Sequence, residues 1–67
     1  MKNSIKVERA KLDLTQEELA NKIGVSRQTI NAMEANKYVP STVLALKLAA
    51  VFQTTVEAVF QLDEGDE

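Results

Sequence analysis

The stretch Leu14–Ser41, LTQEELANKIGVSRQTINAMEANKYVPS, carries the start and stop signals of two short helices in quick succession. Thr15, followed three residues later by Glu18, is the capping-box signature of a helix N-terminus. Gly24 is a natural end for that helix, because glycine adopts a positive φ without steric cost. Ser26 then caps a second helix. The stretch therefore predicts two helices joined by a tight three-residue turn.

Helix signals also precede this stretch. Residues 3–12, NSIKVERAKL, place Ile5 and Leu12 two turns apart with basic residues between them. Asn3 or Ser4 can cap the resulting helix. This segment is the first of five predicted helices, and the two helices of the opening stretch are the second and third.

Two more helices follow. Ser41 or Thr42 caps residues 42–52, TVLALKLAAVF, a helix that is apolar nearly all round and is therefore predicted to be central. Thr54 or Thr55 caps the fifth. The apolar residues in and after the fifth helix are assigned to the core or, alternatively, to a dimer surface: Val56, Val59, Phe60 and Leu62. The predicted core consists of Leu19, Ile23, Ile30, Leu44, Leu48, Phe52 and Phe60.

The connection between the third and fourth helices is ANKYVPS, residues 35–41. Asn36 tolerates the left-handed conformation, and Pro40 biases Val39 toward an extended one. The sequence contains no strand pattern, repeat or linker, so we predict one all-α domain of five helices over residues 1–62. The acidic residues 63–67, DEGDE, are predicted to be a disordered tail.

Composition excludes several classes of function. A chain of 67 residues is enough for one small domain. It lacks cysteine, so it forms no disulfide, and it lacks histidine, the commonest metal ligand and acid–base catalyst. Its acidic residues are scattered, so we expect no enzyme, no cofactor and no metal site. No apolar run approaches the roughly 20 residues of a membrane span, and no signal peptide is visible, so we expect a cytoplasmic protein.

The charge is unevenly distributed along the chain. The net charge of −2 and the pI of about 5.1 would by themselves argue against a nucleic-acid partner. Residues 1–56, however, hold all eight basic residues against five acidic ones, a formal charge of +3. The other five acidic residues lie from Glu57 onward. Because the local potential matters more than the total, binding to DNA remains compatible with the composition.

The third helix has one apolar and one polar side. At about 100° per residue, Ile30 and Met33 fall on the core side. The other side forms a continuous arc of Arg27, Gln28, Asn31, Ala32 and Ala35. In the major groove of DNA, arginine pairs with guanine and glutamine or asparagine with adenine. The free N–H groups at the start of the preceding helix suit a phosphate. Together the two helices form a helix-turn-helix geometry suited to DNA.

The motifs LTQEELA, GVSRQTI, the glutamate at position 34 and YVPS, taken at this spacing, resemble the Cro/repressor-type (XRE-like) helix-turn-helix transcriptional regulators. The resemblance extends from Ile5 to about Leu62. It implies a five-helix, lambda-repressor-like DNA-binding domain that acts as a homodimer on a palindromic operator in double-stranded DNA. The sequence departs from the family at Gln53, where glycine is common, and at Ala32, which offers a base no hydrogen bond.

The resemblance also implies roles for individual residues. Gln16 would contact a phosphate and brace the third helix, the recognition helix. Contacts to bases or nearby phosphates are implied for Ser26, Arg27, Gln28 and Asn31, and contacts to the DNA backbone for Asn36, Lys37 and Tyr38. Arg9 and Glu34 match a pair that forms a partly buried salt bridge between the first and third helices in related domains.

Each of these residues also has a plain structural interpretation. Arg27 and Gln28 could form an ordinary solvated helix face, Ser26 could be only an N-cap, and Tyr38 could pack its ring on Pro40. Two functions therefore stay open. The first is a sequence-specific transcriptional repressor, favoured by the intact recognition-helix residues. The second is an antitoxin or protein-interaction module on the same fold, favoured by the low pI and by the alanines at 32 and 35.

Overall fold

The structure, a computed structural model, describes residues 1–66. Over these residues the chain forms five α-helices, which confirms the predicted five-helix fold. They are α1 (Ile5–Lys11), α2 (Gln16–Ile23), α3 (Arg27–Glu34), α4 (Thr42–Val51) and α5 (Val56–Val59). Two short strands, β1 (Lys2–Asn3) and β2 (Phe60–Gln61), and a 3-10 turn at Glu64–Asp66 complete the described part.

Side-chain caps fix where four of the helices begin. Thr15, Ser26, Ser41 and Thr55 each accept a hydrogen bond from the backbone N–H three residues on. At α2 the capping box is complete, because Glu18 also accepts from the Thr15 N–H at 2.9 Å. Helix α1 differs, since the Ser4 side chain makes no cap. The Asn3 Oδ1 instead accepts a hydrogen bond from the Ile5 N–H at 3.2 Å.

The chain leaves four of the helices through residues with positive φ. Gly24 (76°) and Asn36 (60°) were expected in this conformation, and Gln53 (54°) also adopts it at the position where the family commonly has glycine. Asp13 (55°) was not anticipated. In each case the left-handed residue turns the backbone N–H groups back to the last carbonyls of the helix.

The core lies where the five helices meet. Six of the seven residues predicted for the core are buried, and Leu44 is half-buried against it. Helix α2 packs on α3 and α4, and α4 packs on α5. The largest fully buried side chains are Ile5, Leu19, Ile23, Ile30, Met33, Leu48 and Val59.

Helix α4 is less enclosed than its composition predicted. It contributes Leu48 and Ala49 to the core. On another side, Val43 is 61% exposed and Leu46 57% exposed. An apolar helix in a chain this short has too few neighbours to cover it on every side. The prediction that α4 is central is therefore right for one side of the helix and wrong for the other.

The expectation of a chain without strands is corrected by a two-stranded antiparallel ribbon, β1–β2. Lys2 faces Gln61 and Asn3 faces Phe60 in its register. The ribbon is continued by the Ser4 N–H, which donates to the carbonyl of Val59 at 2.9 Å. Two residues per strand are too few to leave an alternating sequence pattern, so the ribbon depends on tertiary contacts.

Residues 63–67 are predicted to be a disordered tail, and the part of them that the structure describes contains a 3-10 turn at Glu64–Asp66. The N-terminal ammonium of Met1 lies 3.1 Å from the Asp63 carboxylate and 2.8 Å from that of Asp66. The ammonium donates a hydrogen bond to each carboxylate. The bond to Asp66 lowers the pKa of that carboxyl, and the bonds to Asp66 first and Asp63 second raise the pKa of the amine. Opposite charges thus hold the acidic turn against β1. Glu67 lies outside the described residues.

Candidate nucleic-acid interface

The α2–turn–α3 unit is built on a shared apolar seam. The seam consists of three residues that are each at most 2% exposed: Leu19 and Ile23 of α2 and Ile30 of α3. Gly24 closes α2, and the Val25 N–H donates to the carbonyl of Ala20 at 3.0 Å. This turn fixes the direction in which α3 leaves α2, so the outer side of α3 is presented as a rigid surface.

The outer side of α3 carries the residues expected to face bases. Arg27, Gln28 and Asn31 are all exposed. Within residues 1–66, none of these three side chains makes a hydrogen bond or an ion pair with another part of the chain. Their donors and acceptors are therefore available to a partner.

The inner side of α3 is anchored by a polar cluster of Arg9, Gln16 and Glu34. The Arg9 Nε lies 2.9 Å from Glu34 Oε2, and Arg9 Nη2 donates to Glu34 Oε1 at 3.3 Å. Gln16 Nε2 donates to the same Oε1 at 3.0 Å. The side chains of Arg9 and Glu34 are only 17% and 8% exposed. The hydrogen bonds to Glu34 raise the pKa of the Arg9 guanidinium above its usual value.

This cluster places three helix positions in one network. Arg9 belongs to α1, Gln16 is the first residue of α2, and Glu34 is the last residue of α3. Arg9 also donates from Nη1 to the carbonyl of Leu14 at 2.9 Å, which ties the α1–α2 connection into the cluster. One N–H of the Gln16 amide is committed to Glu34, so its other N–H and its amide oxygen stay available to a partner.

Ser26 is used as the N-cap of α3. Its Oγ accepts from the Thr29 N–H at 3.2 Å and lies 3.0 Å from the Thr29 hydroxyl. A serine hydroxyl has two lone pairs and one hydrogen, so capping leaves it some capacity for a further contact. Thr29 was not among the predicted site residues, although its hydroxyl shares this hydrogen bond beside the exposed helix face.

The three residues expected to contact the DNA backbone lie together in the turn after α3. Asn36, Lys37 and Tyr38 are all exposed, Tyr38 by 44%. The turn is a Schellman motif, in which the Lys37 N–H donates to the carbonyl of Ala32 at 2.8 Å. The left-handed φ of Asn36 closes this motif.

Asn3 is a residue at this site that the sequence did not reveal. Its Nδ2 donates to the carbonyl of Met33 at 2.8 Å and to Asn36 Oδ1 at 2.8 Å. Local patterns indicate only that Asn3 can cap α1, because contacts between residues thirty or more positions apart leave no local signal.

The cations are divided between paired and unpaired ones. Lys2, Arg9 and Lys11 are in ion pairs with Asp63, Glu34 and Glu8. The remaining basic residues form no ion pair within residues 1–66: Lys6, Lys22, Arg27, Lys37 and Lys47. Two of these, Arg27 and Lys37, lie in α3 and the turn after it, so the surface around the recognition helix keeps its positive charge.

A second surface is apolar. A shallow groove of about 200 Å³ is bordered by the connection before α4, by α4 itself and by the ribbon. Its main apolar lining residues are Met1, Val39, Pro40, Leu46, Val56 and Phe60. Val59 and most of Phe60 are buried in the core of the same chain, whereas Leu62 is 74% exposed. The residues of the fifth helix segment were assigned either to the core or to a dimer surface, and Val59 and Phe60 belong to the core.

The part of the chain that the structure describes has no cluster of histidine, cysteine or acidic side chains suited to a metal ion. Among the same residues, no helix has the length and apolar character needed to cross a bilayer.

The fold and the α2–turn–α3 unit define a helix-turn-helix transcription regulator. The helix-turn-helix family model matches residues 5–59, and the chain belongs to this family, of the Cro/repressor (XRE-like) type. It is 54% identical over 67 residues to an HTH-type transcriptional regulator from Methanocaldococcus jannaschii, with all of both chains covered.

Two solved structures are similar to this fold. One is the N-terminal DNA-binding domain of SinR from Bacillus subtilis, with a TM-score of 0.76 at 28% identity, covering 90% of this chain and 88% of that one. The other is a chain of the SinR protein/SinI protein complex, with a TM-score of 0.77 at 28% identity, covering 91% of this chain and 65% of that one.

Proposed function

We propose that this regulator is a repressor that binds a palindromic operator in double-stranded DNA as a homodimer, with α3 in the major groove. The observation that carries the proposal is the contrast between the two sides of α3. Its inner side is fixed by the buried Glu34 cluster. Its outer side presents three polar side chains that have no partner within residues 1–66. A rigid helix with unpaired polar groups suits recognition of base edges.

The proposed contacts divide into two groups. Arg27, Gln28 and Asn31 would meet base edges or nearby phosphates. Gln16 and Ser26, at the starts of α2 and α3, would meet the DNA where helix N–H groups favour phosphate. The turn after α3 would add backbone contacts from Asn36, Lys37 and Tyr38. These contacts would set the register of the protein on the duplex, and the base contacts would supply specificity.

The proposed affinity is modest and falls as the salt concentration rises. Only a few of the eight basic residues lie near the recognition helix, and the overall charge is −2. Each phosphate neutralised by a cation releases condensed counterions. The logarithm of the binding constant therefore falls linearly with the logarithm of the salt concentration, and the slope is proportional to the number of such contacts. A footprint with few cations should therefore give a modest affinity that falls with salt by a shallow slope.

The proposed dimer would place two α3 helices about one DNA turn apart, roughly 34 Å. For its surface we favour the apolar groove and the exposed side of α4, with Val39, Val43 and Leu46, rather than the fully buried Val59. Exposed apolar side chains that border one groove are the kind of surface that a second copy covers by two-fold symmetry.

The test is selection from a random-sequence duplex pool by the purified protein at about 100 mM salt, a range in which phosphate contacts still contribute strongly. We expect a palindromic motif. The matched control is the double variant Arg27→Ala, Gln28→Ala, which should lose the motif while keeping its helical circular dichroism. For Arg27→Ala alone we expect a loss of roughly 1–3 kcal/mol on the preferred site and relaxed specificity at one position.

A parent protein that is folded but enriches no motif would contradict this function. So would an Arg27→Ala variant that binds the selected site as tightly as the parent.

A second candidate function is a protein-interaction module, such as the antitoxin of a toxin–antitoxin pair. It is favoured by the exposed apolar side of α4 and by the similarity to a chain of the SinR protein/SinI protein complex. Under this alternative, the groove would bind a different protein instead of a second copy. A pull-down with the folded parent protein, compared with a pull-down with its Leu46→Glu variant, would distinguish binding of a different protein from binding of a second copy.

A further inference from the structure

Asn3 makes an unusually complete set of hydrogen bonds for a half-buried side chain near a chain end. Its amide nitrogen has two hydrogens, and both are used, toward the Met33 carbonyl and toward Asn36 Oδ1 at 2.8 Å each. Its amide oxygen accepts from the Ile5 N–H at 3.2 Å. Among the twenty side chains, only a carboxamide of this length offers two donors and an acceptor in this arrangement.

The backbone of Asn3 is itself fixed in place. Asn3 pairs with Phe60 in the β1–β2 ribbon, and the next residue, Ser4, bonds to Val59 through its N–H and to Ala58 through its hydroxyl. The Asn3 side chain therefore connects a stationary ribbon to the end of the recognition helix. No other side-chain hydrogen bond within residues 1–66 joins the ribbon to α3 or to the turn after it.

The hydrogen bond to Asn36 determines which end of the Asn36 amide faces outward. Its Oδ1 accepts from Asn3, so its NH2 group is the end left over, and within residues 1–66 that NH2 donates to nothing. Asn36 is exposed and stands directly before Lys37. Without Asn3 the side chain could rotate about its last bond and present an acceptor oxygen, which a phosphate repels.

We infer that Asn3 is a positioning residue for DNA binding, which orients the Asn36 NH2 toward a phosphate and holds the end of α3 against the ribbon. The inference rests on the proposed function, since it assigns a donor to the DNA contact of that same turn. It adds a residue outside the helix-turn-helix to the binding machinery. In this arrangement the β1–β2 ribbon holds Asn3 in place.

Two substitutions separate this role from the capping of α1. Asn3→Ser keeps an oxygen that can accept from the Ile5 N–H but removes both donated hydrogen bonds, and it introduces no charge. Asn36→Gly keeps the left-handed φ at no steric cost but removes the amide on which Asn3 is inferred to act. The two variants and their combination form a double-mutant cycle.

The measurement is the dissociation constant for the duplex recovered from the pool, by fluorescence anisotropy, at a temperature where all four proteins are folded. We expect Asn3→Ser to weaken binding about fivefold in the parent, as the loss of a positioned hydrogen bond would. In the Asn36→Gly background the same change should weaken binding less than about twofold, because the group it positions is already gone. Equal losses in both backgrounds, or no loss in the parent, would overturn the inference.

Nuclear magnetic resonance of the DNA-free protein keeps the inference testable even if no duplex binds. Asn3→Ser should shift the side-chain NH2 resonances of Asn36 and speed the hydrogen exchange of the Lys37 N–H, which closes the turn onto Ala32. Lys2→Ser is the matched control, since Lys2 is in the same strand with a side chain 70% exposed. If Asn3→Ser leaves both observables as in the control, Asn3 does not hold Asn36 or the turn, and the inference is overturned. If they change but no duplex is selected, Asn3 holds the turn, while the proposed function and with it the role of Asn3 in DNA binding fail.

Discussion

The α2–α3 half of the molecule and the α4–α5 half are held together by different kinds of interaction. The α2–α3 half has a buried polar cluster, built on Glu34, behind an exposed polar helix face. The α4–α5 half has no such cluster within residues 1–66, and it exposes Val43 and Leu46. The buried polar interactions of this domain are therefore concentrated at the end of α3, where they fix the orientation of that helix. The apolar surface is left where a partner can cover it.

The largest effect is expected from breaking the polar cluster. Glu34→Ala would leave the Arg9 guanidinium without its carboxylate and the Gln16 amide without an acceptor. Removing one partner of a well-buried pair costs about 3–5 kcal/mol, which is close to the whole stability of a domain this small. Because Arg9 keeps some exposure, we expect the lower end, about 3 kcal/mol. Urea unfolding followed by circular dichroism measures it.

The control for that prediction is an ion pair whose lysine is exposed. Lys11 lies 3.0 Å from Glu8 and its side chain is 68% exposed. Lys11→Ala should cost less than about 1 kcal/mol, as surface pairs do. If both variants unfold at the same urea concentration, the cluster is not what fixes α3.

The next effect concerns the apolar surface of the α4–α5 half. Leu46→Glu should change the stability of the monomer by less than about 0.5 kcal/mol, because the side chain is mostly exposed. It should nevertheless weaken binding to a palindromic duplex at least tenfold, about 1.4 kcal/mol, since a charge in the interface would oppose dimer formation. Sedimentation equilibrium and anisotropy with the same duplex test the two parts.

Leu12→Glu makes the same chemical change at an exposed leucine that does not border the groove. It should leave the oligomeric state as it is in the parent. A Leu46→Glu protein that sediments and binds like this control would remove the dimer surface proposed above.

A smaller effect, of opposite sign, is expected at the end of α4. Gln53 has φ of 54°, a conformation that costs an ordinary L-residue about 1–2 kcal/mol. Gln53→Gly removes that cost but adds flexibility to the unfolded chain, so a net gain of roughly 0.5–1 kcal/mol is expected. Gln53→Ala, which keeps the strain, is the matched control. Thermal unfolding would contradict the prediction if alanine stabilised the protein as much as glycine.

The smallest effect is a pH dependence at the start of α2. Hydrogen bonds from the Thr15 backbone and hydroxyl, followed by the charge of Lys22, lower the pKa of Glu18. A carboxyl whose pKa is lower in the folded than in the unfolded state stabilises the fold above its unfolded pKa, and the stabilisation is lost as the pH falls through the folded pKa. We therefore expect the stabilisation to be lost as the pH falls below the unfolded pKa of glutamate, about 4.3.

Glu18→Gln provides the comparison, because glutamine can also complete a capping box but does not titrate. The midpoint of thermal unfolding should fall less steeply with acidification in Glu18→Gln than in the parent. Identical slopes would mean that the capping box does not depend on the charge of Glu18.

Much of this architecture could be predicted from local signals in the sequence. Thr15, Ser26, Ser41 and Thr55 fix helix starts through their own side chains, and Gly24 and Asn36 fix helix ends. These interactions span three to five residues, so a local pattern identifies them. The family resemblance added the expectation of the Arg9–Glu34 pair, and both the family and the helix-turn-helix regulator class are confirmed. The individual DNA contacts stay predictions.

The features that could not be predicted all depend on distant parts of the chain. Asn3 has no local signal for its bond to Asn36, and the ribbon has strands too short to show a pattern. The exposure of Val43 and Leu46 was missed because the composition of α4 does not show which side lacks a neighbour. The acidic turn at residues 64–66 depends on the ammonium of Met1, at the opposite end of the chain.

The ribbon has a consequence for the order in which the chain folds. The helices form through contacts between near neighbours, but pairing Lys2 with Gln61 closes a loop of almost the whole chain. Closure of such a loop costs conformational entropy before the contacts it allows can stabilise the fold. The ribbon is therefore expected to form after the helices have docked and to open before they separate. The last step of folding would then be the one that locks the turn after the recognition helix.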